Sequence, residues 1–84
     1  MKAPLISLDV SSLYSADGTA RLNRLEDYVR SALAGVTPGA DVMLTGAAPV
    51  WLYLRLAHAL HGRVRVLSYS SPVTGPVTVF DHTP

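Results

Sequence analysis

Asp41-Val42-Met43-Leu44-Thr45 runs into Gly46-Ala47-Ala48-Pro49 and then into Val50-Trp51-Leu52-Tyr53-Leu54-Arg55-Leu56-Ala57-His58-Ala59-Leu60-His61-Gly62. Val42, Met43 and Leu44 form a continuous apolar run, the pattern of a strand covered on both faces. Gly46-Ala47-Ala48 is a tight turn of small residues. Pro49 stands where a helix begins and its missing N–H costs nothing. The residues after it are apolar nearly all round. They predict a largely buried helix from Val50 to His61, stopped by Gly62.

Upstream, Leu5-Ile6-Ser7-Leu8-Asp9-Val10 reads as a strand. A polar stretch from Ser11 to Gly18 follows, with Asp17-Gly18 as a turn signal. Leu22, Leu25, Val29, Ala32 and Leu33 then recur at helical spacing, while Arg21, Arg24, Asp27 and Arg30 take other positions. This predicts an amphipathic helix from about Ala20 to Ala34, ended by Gly35. Downstream, residues 63–69 alternate as a strand, Ser70 to Gly75 is a turn, and Val77-Thr78-Val79-Phe80 is a last strand. The expected fold is α/β: one small domain over residues 1–84, ordered β-α-β-α-β-β. Its first three strands are parallel through right-handed crossovers, its C-terminal hairpin is antiparallel, and its helices pack on the sheet.

Composition narrows the class. The chain has 84 residues, no cysteine, 49% apolar and 15% charged residues, and a net charge of +1. So short a chain has a thin core and no disulfide to reinforce it. Few charges for its surface predict a homodimer or higher oligomer. The near-neutral balance excludes a basic clamp for duplex DNA but not a small anionic ligand. Arg55 interrupts the longest apolar run, so no membrane span is expected. Met1-Lys2-Ala3-Pro4 lacks a signal-peptide layout, and the expected compartment is the cytoplasm.

On a helical projection Leu52, Leu56, Leu60, Tyr53 and Ala57 share the core face of the second helix. Val50, Trp51, Leu54, His58 and His61 lie opposite, flanked by Arg55. This second face is expected to meet another subunit or line a cleft. His58 and His61 either form a metal or acid–base site or are two half-exposed histidines near a helix C-terminus. The Thr45–Pro49 turn either binds an anion on free N–H groups or only lets helix and strand pack closely. Thr45, Gly46, Ala47, Ala48, Trp51 and Arg55 are the expected ligand-binding residues. Asp81-His82 ends the last strand and can reach the helical pair if the fold brings them together.

The block Leu44-Thr45-Gly46-Ala47-Ala48-Pro49-Val50-Trp51-Leu52-Tyr53, with Leu56-Ala57-His58 and Leu60-His61, resembles the small CRISPR-associated ring nucleases of the manganese-dependent type. Those proteins read Gly-x-x-Pro-Ile/Val-Trp-Leu-Tyr, then Leu-x-His-x-x-His, a strand ending Tyr/Phe-Asp-Pro, a glycine turn, a valine-rich strand and a closing histidine. The likeness covers about Asp41 to His82. It implies a dimer that binds cyclic oligoadenylate and linearises cyclic tetra-adenylate, switching off type III CRISPR effectors. It further implies His61, His82 and Ser70 as the catalytic positions and His58, His61 and His82 as ligands of Mn2+. Ser70 stands where the family has an aspartate, and a hydroxyl anchors a hard cation less firmly than a carboxylate. Three readings follow: a metal-dependent phosphodiesterase, a cyclic-oligoadenylate-binding module that does not cut, and a structural dimerisation domain.

Overall fold

Two crossovers step across one sheet in the same direction. Leu5–Asp9 (β1) pairs in parallel with Asp41–Thr45 (β2), and β2 pairs in parallel with Val66–Ser71 (β3). Gly75–Asp81 (β4) returns antiparallel along β3 through the turn Pro72-Val73-Thr74, giving the order β1-β2-β3-β4. The computed structural model describes residues 4–84; Met1-Lys2-Ala3, part of the stretch without a signal-peptide layout, lie outside the described residues. Leu25–Ala34 (α1) fills the first crossover and Val50–Leu60 (α2) the second. The helices touch each other, and Arg55 of α2 pairs with Glu26 of α1 at 2.5 Å, so both cover the same face. The architecture is a two-layer α/β sandwich, mostly parallel, with a C-terminal hairpin.

The core lies between these layers. Leu52, Leu56 and Leu60 of α2 recur every four residues and are fully buried against Val42 and Leu44 of β2 and Leu67 of β3. Tyr28, Val29 and Ala32 of α1 and the fully buried Val10 complete it. Along each strand alternate residues point away from the helices. Ser7, Met43, Ser68 and Thr78 make one row across that other face, with no helix over them.

Several sequence expectations are thereby corrected. The run Val42-Met43-Leu44 is not covered on both faces: Val42 and Leu44 are buried and Met43 is half-buried. Helix α2 is not buried all round, since Val50 and Leu54 stand largely exposed. The polar stretch from Ser11 to Gly18 is mostly helical. It belongs to a 3-10 run, Val10–Asp17, capped by the Asp9 carboxylate on the Ser11 N–H. The first helix starts as a 3-10 turn at Leu22–Arg24, with Leu22 exposed. Its largest buried side chain is Tyr28, whose hydroxyl donates to Asp17 Oδ2 at 2.7 Å and accepts from the Arg21 N–H at 3.1 Å. The third strand begins at Val66, because the Arg63 carbonyl and Arg65 N–H bond Gly39 and Ala40 in the preceding turn.

Arg65 holds the helix-free face at one end. Its guanidinium grips Asp41 through two bonds, at 3.0 and 2.8 Å. This contact keeps the Asp41 carboxyl below the usual range and raises Arg65. Among the described residues no helix is long and apolar enough to cross a membrane.

Candidate functional site

Open α/β sheets bind ligands outside the carboxyl ends of their parallel strands. Here β1, β2 and β3 end at Asp9, Thr45 and Ser71 on one edge. A cavity of about 440 Å³ opens there, lined by Gly46, Ala47, Ala48, Tyr53, Tyr69, Ser70 and Pro72. The short turn makes it, by joining a strand end to a helix start. Gly46 has φ +92°, a left-handed conformation natural to glycine. A Cβ on Gly46 would lie 2.1 Å from Asp9 Oδ1. That oxygen also accepts the Ser11 N–H at 3.0 Å and the Ser11 hydroxyl at 2.6 Å. Gly46 is therefore a packing requirement in its own right, and Gly46→Val would disturb the fold.

Two tyrosines brace the turn. The Tyr14 hydroxyl donates to the Ala47 carbonyl at 2.7 Å, and the Tyr53 hydroxyl donates to the Gly46 carbonyl. The Ala47 and Ala48 N–H groups have no partner among the described residues. Tyr53 meets Tyr69 edge to face, with ring centroids 5.1 Å apart. Burial raises the Tyr53 hydroxyl above the usual tyrosine range, and Tyr69, Tyr14 and Asp9 add to this. The cavity thus offers aromatic walls and backbone N–H donors: surface for a planar base and for an anion.

The expected ligand-binding residues divide. Gly46, Ala47 and Ala48 line the cavity, and Thr45 flanks it, donating to the Leu8 carbonyl at 3.4 Å. Trp51 and Arg55 do not line it. Trp51 packs half-buried on the core, and Arg55 is engaged with Glu26.

The histidines lie at the other edge. His61 caps the C-terminus of α2, and Gly62, at φ +88°, turns the chain away. β4 runs back to the same edge, where the His82 N–H bonds the Arg65 carbonyl at 2.8 Å. The His61 and His82 rings meet with centroids 4.9 Å apart, and Phe80 completes the cluster at 5.1 and 4.9 Å. His58 does not join them; among the described residues no three His, Cys, Asp or Glu side chains gather as a metal group. Strand alternation sends Asp81 the other way, to the helix-free face, where its carboxylate accepts the Thr83 N–H and feels Arg65. Two imidazoles without a carboxylate do not fit Mn2+, a hard cation that takes oxygen ligands.

Ser70 is also apart from the histidines. It sits five residues along β3 from Arg65, about 16 Å at 3.3 Å per residue. The 11 residues of α2 likewise span about 16 Å between the Gly46 turn and His61. One subunit therefore carries two separate features, a tyrosine-walled cavity and an imidazole pair.

Residues 23–84 match the model of a protein family described as CRISPR-associated protein (Cas_csx3). The chain belongs to this family. The part shared with the Cas_csx3 family runs from α1 to the C-terminus and takes in both the cavity and the histidine pair; β1 and Asp9 precede it. No match is found among curated proteins or among solved structures. Asp9, Tyr14 and Tyr69 are not marked as site residues by any motif, and Tyr53 reads from helical spacing as core. The one signal available was position, since Asp9 is next to last in a predicted strand and Tyr53 is one turn into a predicted helix.

Proposed function

We propose that this CRISPR-associated protein binds cyclic oligoadenylate, with cyclic tetra-adenylate as its ring, at the carboxyl edge of the sheet. It linearises the ring where the histidine pair of a second subunit reaches the same phosphates. The observation that carries this reading is the cavity itself: Tyr53 and Tyr69 beside the Gly46-Ala47-Ala48 turn and the start of α2. A volume of about 440 Å³ lies within the range of small-molecule sites, roughly 300–1,000 Å³. Adenine faces suit aromatic walls. Free N–H groups at a helix start suit a phosphate.

Cleavage needs one group to take a proton and another to give one. His61 and His82 are close enough to act on one phosphodiester. The nucleophile, a ribose 2′-hydroxyl or a water, gives its proton to one ring and attacks phosphorus. The departing 5′-oxygen takes a proton from the other ring. Since about 16 Å of helix separates the pair from the cavity, both act on one ring only when two subunits meet around it. The second reading, binding without cutting, draws on Ser70 in the aspartate position. Thin-layer chromatography of labelled cyclic tetra-adenylate, with and without manganese, beside a filter-binding titration, tests both. Cleavage that rises steeply with protein concentration supports the shared site. Binding without turnover supports the second reading, and failure to bind overturns both.

A further inference from the structure

None of the chain's six carboxylates joins the imidazole pair in a metal group or lines the cavity. Each has another partner. Asp9 accepts the Ser11 N–H and hydroxyl, and Asp17 accepts the Tyr28 hydroxyl. Glu26 pairs with Arg55 and Asp27 with Arg30. Asp41 is gripped by Arg65, and Asp81 accepts the Thr83 N–H on the helix-free face. Ser70 brings the cavity a hydroxyl in the aspartate position. A hard divalent cation is held by oxygen ligands, carboxylates above all. Neither the cavity nor the imidazole pair supplies one.

We infer that this chain opens cyclic tetra-adenylate without a metal ion, by attack of a ribose 2′-hydroxyl served by His61 and His82, leaving a 2′,3′-cyclic phosphate and a 5′-hydroxyl. The inference rests on the reading of the chain as a ring-cleaving protein and adds the nucleophile and the product.

The nucleophile follows from the donor set. A metal makes water reactive by lowering its pKa from about 15.7 to about 7. With imidazole as the one base, water must be captured, oriented and deprotonated unaided. The 2′-hydroxyl is already tethered on the carbon next to the one that bears the phosphate. Such a tether is worth an effective molarity of about 10⁵–10⁸ M when well oriented. The two rings stand with centroids 4.9 Å apart, close enough to serve one phosphate. Phe80, packed on the core, touches both and holds them in place.

The step balances without a co-reactant. As the 2′-oxygen bonds phosphorus, its proton passes to one imidazole. The bond from phosphorus to the 5′-oxygen breaks, and that oxygen takes a proton from the other imidazole, which starts protonated. No water is consumed, so the linear product keeps the mass of the ring.

Mass spectrometry of cyclic tetra-adenylate incubated with the protein in oxygen-18 water, with EDTA and with Mn2+, tests this beside a filter-binding titration. The expected result is turnover equal within about twofold in the two media, and a first product at the mass of the ring with no oxygen-18. The electron paramagnetic resonance signal of Mn2+ should also keep its amplitude when the protein is added alone. His82→Ala, with unchanged far-UV circular dichroism, should lose turnover in both media. Cleavage that needs Mn2+, or a first product carrying oxygen-18, overturns the inference and leaves the proposed function standing. So does a Mn2+ signal that the wild type quenches and His61→Ala restores. Turnover that survives in His82→Ala overturns it as well. Binding without turnover overturns it in favour of the non-cutting reading, and failure to bind overturns it together with the proposed function.

Discussion

Replacing Gly46 by alanine tests the architecture of the cavity edge, and its cost divides into two parts. The first is conformational. Gly46 sits at φ +92°, and an L residue there costs about 1–2 kcal/mol. The second is local to Asp9. The new methyl would lie 2.1 Å from Oδ1, so the carboxylate must swing aside and release Ser11. Losing an N-cap costs about 0.5–2 kcal/mol. The sum is about 1.5–4 kcal/mol, readable as a shift of the urea midpoint at constant m. Asp9→Ala alone should cost only the cap, about 0.5–2 kcal/mol. The double variant should then be no less stable than Gly46→Ala, because the same cap is lost once in both. A non-additivity of about 0.5–2 kcal/mol is the expected outcome of the cycle. Strict additivity would refute the idea that Gly46 is kept for Asp9, leaving only its backbone conformation.

Other outcomes follow from the same geometry. Tyr69→Ala should weaken cyclic tetra-adenylate about tenfold or more, since stacking on one aromatic ring is worth about 1–3 kcal/mol per base; filter binding measures it, and unchanged affinity would remove the aromatic wall from the site. His61→Ala should abolish cleavage and leave that affinity within about twofold, because one proton-transfer partner is lost far from the cavity. Burial, with help from Asp17, holds the Tyr28 hydroxyl above its ordinary range. Stability tied to its proton is thus complete below about pH 10 and falls as the pH rises beyond it; Tyr28→Phe should show a shallower alkaline decline in thermal melts. Asp41 is held below its ordinary range by Arg65, so its contribution is present above about pH 4 and is lost as the pH falls further. The urea-midpoint gap between wild type and Arg65→Gln should narrow from pH 5 to pH 2, and a constant gap would argue against this pairing.

The order of elements was legible because periodicity reports it directly. Leu52, Leu56 and Leu60 mark a helix, and the short hairpin link fixes an antiparallel last strand. One-sidedness was not legible from Val42-Met43-Leu44. An apolar run does not say whether a second layer exists, and Met43 is apolar without being covered. Tyr28 was missed as core because its hydroxyl needs a partner, and Asp17 lies eleven residues back, beyond any helical spacing. The meeting of His61 and His82 was within reach, as both end elements that run to the same edge. The separation of Ser70 from them was not. It depends on β4 reversing direction, so that residues near each other in sequence end at opposite edges of the sheet.

The strand order has a consequence for how the chain reaches this structure. Each strand pairs with the one just before it in sequence, so no strand waits for a distant segment to be threaded between two others. Only the β3–β4 pairing is local; β1–β2 and β2–β3 join Leu5 to Asp41 and Asp41 to Val66 across whole crossovers, and contact order of this kind sets folding speed more than stability. The β3–β4 hairpin can close within microseconds, with β2 and then β1 adding at its flank. Refolding after dilution from urea should therefore be a single exponential at the slow end for mixed α/β domains, and substitutions in β1 should speed unfolding more than they slow folding.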